Sequence, residues 1–187
     1  DSDDNDNANN LNDSSSNDKT ESAVLLNARS QLKPDNFDID EDIREIFIEE
    51  VTEVVADLED FLPIWQQDAQ DLTPLTEVRR GFHTLKGSGR MIAAKSSAEL
   101  AWTVEDTLNR VINESLTLTP NIQQYVQLVF KFYFFKLVGD FKSKKEHAVD
   151  FRPLILLGQQ LQQQQSLEPA LEELLLLSDT LTAETKT

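Results

Sequence analysis

The residues best suited to chemistry lie together in residues 82–91, around one of the two histidines of the chain. His83 is followed by Lys86 three positions on and by Gly87 four positions on. On a helix, residues at these spacings are neighbours on one face. An exposed imidazole with a cation and bare backbone beside it suits a group that accepts a phosphoryl and passes it to another protein.

The charge around His83 is opposite to that of the rest of the chain. Residues 75–95 contain five basic residues and one acidic residue, a net charge of +4. The remaining residues contain 12 basic and 33 acidic ones, a net charge of −21. Nearby cations stabilise a phosphorylated imidazole, which carries negative charge. The local excess of positive charge therefore favours an anionic group at this segment.

The composition excludes several classes of function. The chain has no cysteine, which rules out disulfides, cysteine-based zinc sites and thiol nucleophiles. A formal charge of −17 argues against nucleic acid and against an anionic membrane surface as partners. No uninterrupted apolar run is long enough to predict a transmembrane helix. His147 has no partner at ligand spacing, so no metal site is predicted, and we interpret it as a solvated loop residue.

The chain divides into three predicted segments. Residues 1–36 are predicted to be an acidic linker or tail, because residues 1–20 contain six Asp, six Asn and four Ser and have little to bury. A short helix is possible within it at residues 22–32. Residues 37–165 are predicted to form a helical bundle, and residues 166–187 a C-terminal helix and tail. The chain starts with Asp1, and we expect it to be part of a longer protein.

Apolar residues recur with the period of amphipathic helices over most of the second segment. This pattern predicts helices at residues 40–70, from Thr73–Pro74 onward, and at 97–113, 121–137, 151–165 and 168–177. Thr73 is the predicted N-cap of the second helix, Pro63 is predicted to kink or end the first, and residues 141–150 are predicted to be a loop. Successive amphipathic helices with short connections predict an all-α, antiparallel four-helix bundle with extra terminal helices.

A helical wheel separates the buried and accessible faces of the second helix. Its core stripe centres on Leu75, Val78, Phe82 and Leu85. A second stripe about 100° away contains Arg79, His83, Lys86 and Arg90, so His83 lies on a flank that solvent can reach. Gly87 and Gly89 interrupt this helix, either to expose backbone to a partner or to allow close helix packing. The pattern alone leaves both interpretations open.

Residues 78–91, Val-Arg-Arg-Gly-Phe-His-Thr-Leu-Lys-Gly-Ser-Gly-Arg-Met, resemble the phosphorylation helix of histidine phosphotransfer (HPt) domains. The resemblance is greatest to the HPt domains of CheA-like histidine kinases, especially the type IV pilus chemosensory (ChpA/PilL) kind. Residues 39–50, 62–65 and 99–111 support it. It covers residues 39 to about 112 well and the remainder weakly, and it implies that the predicted bundle is of HPt type.

The resemblance implies a role for each matching residue. His83 is the phosphoacceptor, on the ring nitrogen that faces solvent. Glu105 accepts a hydrogen bond from the other ring nitrogen and orients the imidazole, and its position about 90° from the core stripe of the third helix agrees with this. Lys86 stabilises the phosphoryl charge. The candidate partner-binding residues are Arg79, Gly87, Arg90 and Trp102; at the last of these, some relatives carry a polar or histidine side chain.

The resemblance further implies a phosphocarrier in the bacterial cytoplasm that is part of a sensor histidine kinase. The expected partners are a histidine kinase ATPase domain and a response-regulator receiver domain, which supply ATP and Mg²⁺; no cofactor is expected in this domain. Residues 86–90 are not a phosphate-binding loop, because they do not follow a strand. The alternative function is a docking module that binds regulators or kinase domains without carrying phosphate. The type IV pilus resemblance extends the expectation to twitching motility.

Overall fold

Helices make up most of this computed structural model, which describes Ala23 and residues 34–147, 150–164, 166–167 and 169–176. The helices within residues 34–176 are α1 (Glu41–Gln67), α2 (Leu72–Met91), α3 (Lys95–Ile112), α4 (Pro120–Phe132), a π-helical turn (Tyr133–Leu137), α5 (Val138–Ser143), α6 (Arg152–Gln162) and α7 (Pro169–Leu176). The described residues contain no strand, and the predicted all-α class is confirmed. Apart from Ala23, the possible helix at residues 22–32 lies outside the described residues.

Aspartates begin the first two helices. Asp40 precedes α1, and its side chain accepts hydrogen bonds from two backbone amides of the first turn. Asp71 precedes α2 and accepts a hydrogen bond from the amide of Thr73 at 3.0 Å. The prediction that Thr73 caps α2 is therefore wrong. Aspartate is a stronger N-cap than threonine, and Pro74 is tolerated in the first turn because no helical hydrogen bond needs its missing N–H.

Tertiary packing overrides two of the predicted boundaries. The first helix does not end at Pro63 but continues to Gln67, and Trp65 beyond the proline is fully buried. The predicted loop at residues 141–150 is wrong at its start, because α5 extends to Ser143. Phe141 is buried there and stacks on Phe37 with ring centroids 4.7 Å apart. Burial of this aromatic ring outweighs the polar, lysine-rich local sequence.

Each of the first three helices packs against the next one along the chain, and α6 packs beside α3. α1 packs against α2, α2 against α3, and α3 against α6, while α4 packs on α1 and α6. Gly158 allows the close approach of α6, because a Cβ at this position would overlap the side chains of Thr103 and Tyr125. The Tyr125 hydroxyl donates a hydrogen bond to the carbonyl of Leu154 at 2.9 Å. Helix α6 is thus built into the core around α3.

A buried polar cluster ties the segment before α1 to the bundle. Asp35 accepts hydrogen bonds from the amide and the hydroxyl of Ser97, the amide at 3.0 Å. His147 lies between two carboxylates, with Nε2 2.7 Å from Asp35 and Nδ1 2.8 Å from Asp140. Its side chain is 9% exposed, so the interpretation of His147 as a solvated residue is wrong. Asp35, predicted to be in the tail, packs as part of the fold.

The His147 cluster predicts a pH-dependent contribution to stability. Burial by itself lowers the pKa of His147, but hydrogen bonds and charge from Asp35 and Asp140 outweigh it, and the pKa lies above its usual 6.5. The contribution of a group with a raised folded-state pKa is complete below the unfolded pKa and is lost as pH rises through the folded one. We expect His147→Gln to lower the free energy of unfolding more at about pH 6 than at about pH 9.

Urea unfolding of the wild type and of this variant at both pH values gives the measurement. Because the other titrating groups are common to both proteins, the difference between them isolates His147. An equal loss of stability at the two pH values would contradict the prediction.

Candidate functional site

Close packing of α2 against α3 brings His83 next to Glu105. Phe82 and Leu85 are buried in the core, so that His83 lies on the flank of α2 beside α3. The two helices approach closely near the end of α2, where a Cβ on Gly89 would lie 3.2 Å from the Cβ of Ala98. The apolar stripe of α2 sets which side faces α3, and the small residues set how near α3 lies.

His83 and Glu105 form a direct hydrogen bond. Nδ1 of His83 lies 2.7 Å from Oε1 of Glu105. The histidine side chain is 61% exposed, whereas that of Glu105 is 4% exposed. An ionised carboxylate only accepts hydrogen bonds, so Nδ1 carries the proton and, in the neutral ring, Nε2 carries the lone pair. Among the described residues, Nε2 has no hydrogen-bond partner.

The second oxygen of Glu105 faces Lys86. The ammonium Nζ lies 2.7 Å from Oε2 and forms an ion pair with the carboxylate. The same ammonium lies 4.7 Å from the centroid of the Trp102 ring, at the distance of a cation–π contact. The Lys86 side chain is 13% exposed. One buried carboxylate therefore binds the imidazole with one oxygen and the lysine with the other.

These contacts keep Glu105 ionised. Burial by itself raises the pKa of Glu105, but the contacts with Lys86 and then His83 outweigh that effect, and the pKa lies below its usual 4.5. The carboxylate is charged at neutral pH and remains an acceptor for the Nδ1 proton of His83. The orientation and tautomer of the imidazole are fixed from inside the domain, while its other nitrogen faces outward.

Sequence reasoning predicted the face that carries these groups but not all of their contacts. His83, Lys86, Trp102 and Glu105 come together as one cluster. Lys86 points to Glu105 and the ring of Trp102, a direction that a helical wheel cannot give because it fixes only the angle of the Cα–Cβ bond. Trp102 and Glu105 are three residues apart on α3, and this spacing is the signal that could have suggested the contact of Trp102 with Lys86.

The two arginines of the predicted surface differ in their surroundings. Arg79 is half-buried and donates from Nη1 to the side-chain oxygen of Asn109 at 3.4 Å. Arg90 is exposed near the end of α2, beside Met91, whose side chain is 85% exposed. Within the part of the chain that the structure describes, Arg90 has no ion pair. Both arginines lie along α2, on either side of His83.

Gly87 and Gly89 of α2 correspond to the two interpretations that the sequence left open. A Cβ on Gly87 would meet no atom within 4 Å, so this position, one turn beyond His83, is open. A Cβ on Gly89 would press on Ala98 of α3. Gly89 therefore serves close helix packing, whereas no packing contact explains Gly87.

Comparison with known families gives a match over most of the bundle. Residues 42–130 match the Hpt domain family. This part of the chain is similar to an Hpt domain. The match includes α1 to α3 and most of α4, and with them His83, Lys86, Trp102 and Glu105. An Hpt domain is a phosphotransfer module of phosphorelays, and such domains interact with kinases and response regulators.

A comparison with solved structures gives no significant match. No helix in the described ranges is both long and apolar enough to cross a membrane. In the same residues, no three His, Asp or Glu side chains are grouped so as to hold a metal ion.

The glycine environments predict opposite consequences for two alanine substitutions. Gly87→Ala should raise the free energy of unfolding by up to about 1 kcal/mol, because alanine is the better helix former and meets no atom there. Gly89→Ala should be the less stable variant of the two, because part or all of that gain is lost in the contact with Ala98. Urea unfolding of both variants gives the order of their stabilities. A Gly89→Ala variant as stable as Gly87→Ala would be inconsistent with the predicted order.

Proposed function

We propose that His83 carries a phosphoryl group on Nε2, received from a histidine kinase ATPase domain and passed to an aspartate of a response-regulator receiver domain. The observation that carries the proposal is the 2.7 Å hydrogen bond between Nδ1 of His83 and Glu105, which leaves Nε2 outward on a side chain that is 61% exposed. A histidine with a purely structural role in the core would not expose a ring nitrogen to solvent. A surface histidine without a role would not be hydrogen-bonded to a buried carboxylate.

In this tautomer Nε2 carries a lone pair and no proton, so the reaction needs no separate base to activate it. The lone pair of Nε2 attacks phosphorus, the N–P bond forms, and the bond from phosphorus to the donor breaks, with its electron pair leaving on the donor. The proton on Nδ1 stays in its hydrogen bond to Glu105. The positive charge that develops on the ring is stabilised by the adjacent carboxylate, which is already ionised. Transfer to an aspartate reverses these steps with a carboxylate oxygen as acceptor.

The remaining groups come from the partners. Phosphoryl transfer depends on positioning and on cations at the transferring oxygens, and we propose that the partner domains supply Mg²⁺ and ATP. The open position at Gly87 and the exposed arginine at position 90 leave space and positive charge on the side from which a receiver active site approaches. Lys86 is paired with Glu105 and therefore acts on the His83 ring through that carboxylate. In the sequence it follows His83, the residue that carries the phosphoryl, by three positions.

We also propose a cellular setting. The resemblance of residues 78–91 and 99–111 to CheA-like kinases of the type IV pilus (ChpA/PilL) kind supports a cytoplasmic chemosensory kinase that controls twitching motility. Further HPt domains, an ATPase domain and a coupling domain in the same parent protein would agree with this setting. Their absence from the parent protein would contradict it.

His83 is expected to be the single site of phosphorylation. The domain is treated with phosphoramidate and Mg²⁺, and intact-mass spectrometry records an acid-labile, base-stable phosphate. His83→Gln should abolish this label, whereas His147→Gln, a change at the other histidine of the chain, should retain it. A label that remains in His83→Gln would contradict the assignment. A folded wild type that neither phosphoramidate nor its kinase can label would favour the docking module.

Gly87 is expected to matter for protein partners and not for small donors. Gly87→Gln places a long side chain in the open space one turn beyond His83, so it should retain labelling by phosphoramidate and slow transfer to a receiver domain at least about tenfold. Gly139→Gln is the matched control, because position 139 is also open but lies on α5. Equal transfer rates for the two variants would show that the space at Gly87 is not used.

A further inference from the structure

We infer that Trp102 is a positioning residue for His83, acting through Lys86 and Glu105. This inference rests on the proposed phosphorylation of His83. The ring of Trp102 holds the Lys86 ammonium against Glu105, and the ammonium in turn holds the carboxylate as the acceptor for Nδ1. Trp102 thus influences the reacting nitrogen without touching it.

The first step of the argument is the position of Lys86. A lysine side chain has four rotatable carbon–carbon bonds, and an exposed lysine–carboxylate pair gains little over solvation of the two charges. Lys86 is nevertheless 13% exposed, with Nζ 2.7 Å from Glu105 and 4.7 Å from the ring of Trp102. The ammonium lies over the aromatic ring. This contact therefore favours the bound position of Lys86 over the solvated one.

The second step is the consequence for Glu105. Its side chain is 4% exposed, and in the described residues Oε2 has only Lys86 as a polar neighbour. A buried carboxylate oxygen that loses its cation is left with the cost of desolvation. The carboxylate then rotates towards water, which breaks the hydrogen bond to His83, or takes up a proton, which weakens that bond by removing the charge of the acceptor. Nε2 is then no longer held as the outward, unprotonated nitrogen.

The third step separates this role from partner binding. Trp102 is half-buried, so part of its ring could also contact a receiver domain. A direct contact acts only when the partner is present. Positioning through Lys86 acts on the isolated domain as well, and it disappears once Lys86 is removed. A small phosphodonor, which has no protein surface, therefore distinguishes the two roles.

The test compares phosphoramidate labelling rates for the wild type, Trp102→Leu, Trp102→Phe, Lys86→Gln and the Lys86→Gln/Trp102→Leu double variant. Trp102→Leu, which keeps an apolar side chain without an aromatic face, should lower the maximal rate about three- to tenfold and leave the donor KM unchanged. Trp102→Phe retains an aromatic face and should stay within about twofold of the wild type. In the Lys86→Gln background, Trp102→Leu should cause no further loss.

NMR of the unphosphorylated proteins gives a second measurement that does not depend on labelling. The side-chain protons of Lys86 next to the Trp102 ring should be shifted upfield in the wild type and lose that shift in Trp102→Leu. The ¹⁵N shifts of His83 should show the Nδ1–H tautomer in the wild type and a mixture of tautomers in Trp102→Leu.

The outcomes are distinct. A labelling rate for Trp102→Leu equal to that of the wild type, or an undiminished loss in the Lys86→Gln background, would overturn the inference. An effect confined to transfer to a receiver domain would assign Trp102 to partner binding instead. Failure of the folded wild type to label with either phosphoramidate or its kinase contradicts the proposed function, and in that case the NMR shifts decide the positioning of Lys86 and His83 separately.

Discussion

The site depends on one buried carboxylate. Glu105 is 4% exposed, and a carboxylate at that depth stays ionised only when a cation and a hydrogen-bond donor replace the water it has lost. Lys86 and His83 supply both, and both belong to α2, whereas Glu105 belongs to α3. The orientation of the imidazole therefore exists only while α2 and α3 keep a single register. A shift by one helical turn, about 5.4 Å, would move Glu105 away from both His83 and Lys86.

Several contacts maintain that register, and some lie outside the segment that matches the family. The start of α3 is held at Ser97, which binds Asp35 from the segment before α1 and accepts a hydrogen bond from the hydroxyl of Tyr133. Further along α3, Gln162 of α6 donates to the hydroxyl oxygen of Thr107 at 2.9 Å. The face of α3 opposite α2 is thus packed by additional structure. These additions restrict the helix that carries Glu105, so they belong to the architecture of the site.

The sequence predicted the parts that depend on periodicity and local chemistry. The helical period of α2 placed His83 on an accessible flank, and the match to a known motif, together with the period of α3, pointed to Glu105. The contact of His147 with Asp35 lay beyond such reasoning because the two residues are 112 positions apart in the chain, and only the fold brings them together. The direction of Lys86 also could not be predicted, because two helices and an aromatic ring determine it jointly. The burial of Phe141, which extends α5, has the same non-local origin.

The structure also changes what the positive charge around His83 can do. The sequence gives residues 75–95 a net charge of +4, but Lys86 is paired with Glu105 from α3, and Arg80 lies 3.5 Å from Glu77. The charge of Lys86 is neutralised inside the domain by Glu105, and it helps to keep that carboxylate ionised. Exposed positive charge then rests on Arg80 and Arg90 of α2 and on Lys95 at the start of α3. Salt screens exposed charges over about 10 Å at 0.1 M and affects a buried pair much less. In the proposed function, attraction of an acidic partner and orientation of the imidazole are therefore carried by different residues under different screening, and the affinity of docking can vary without altering the reactivity of the ring.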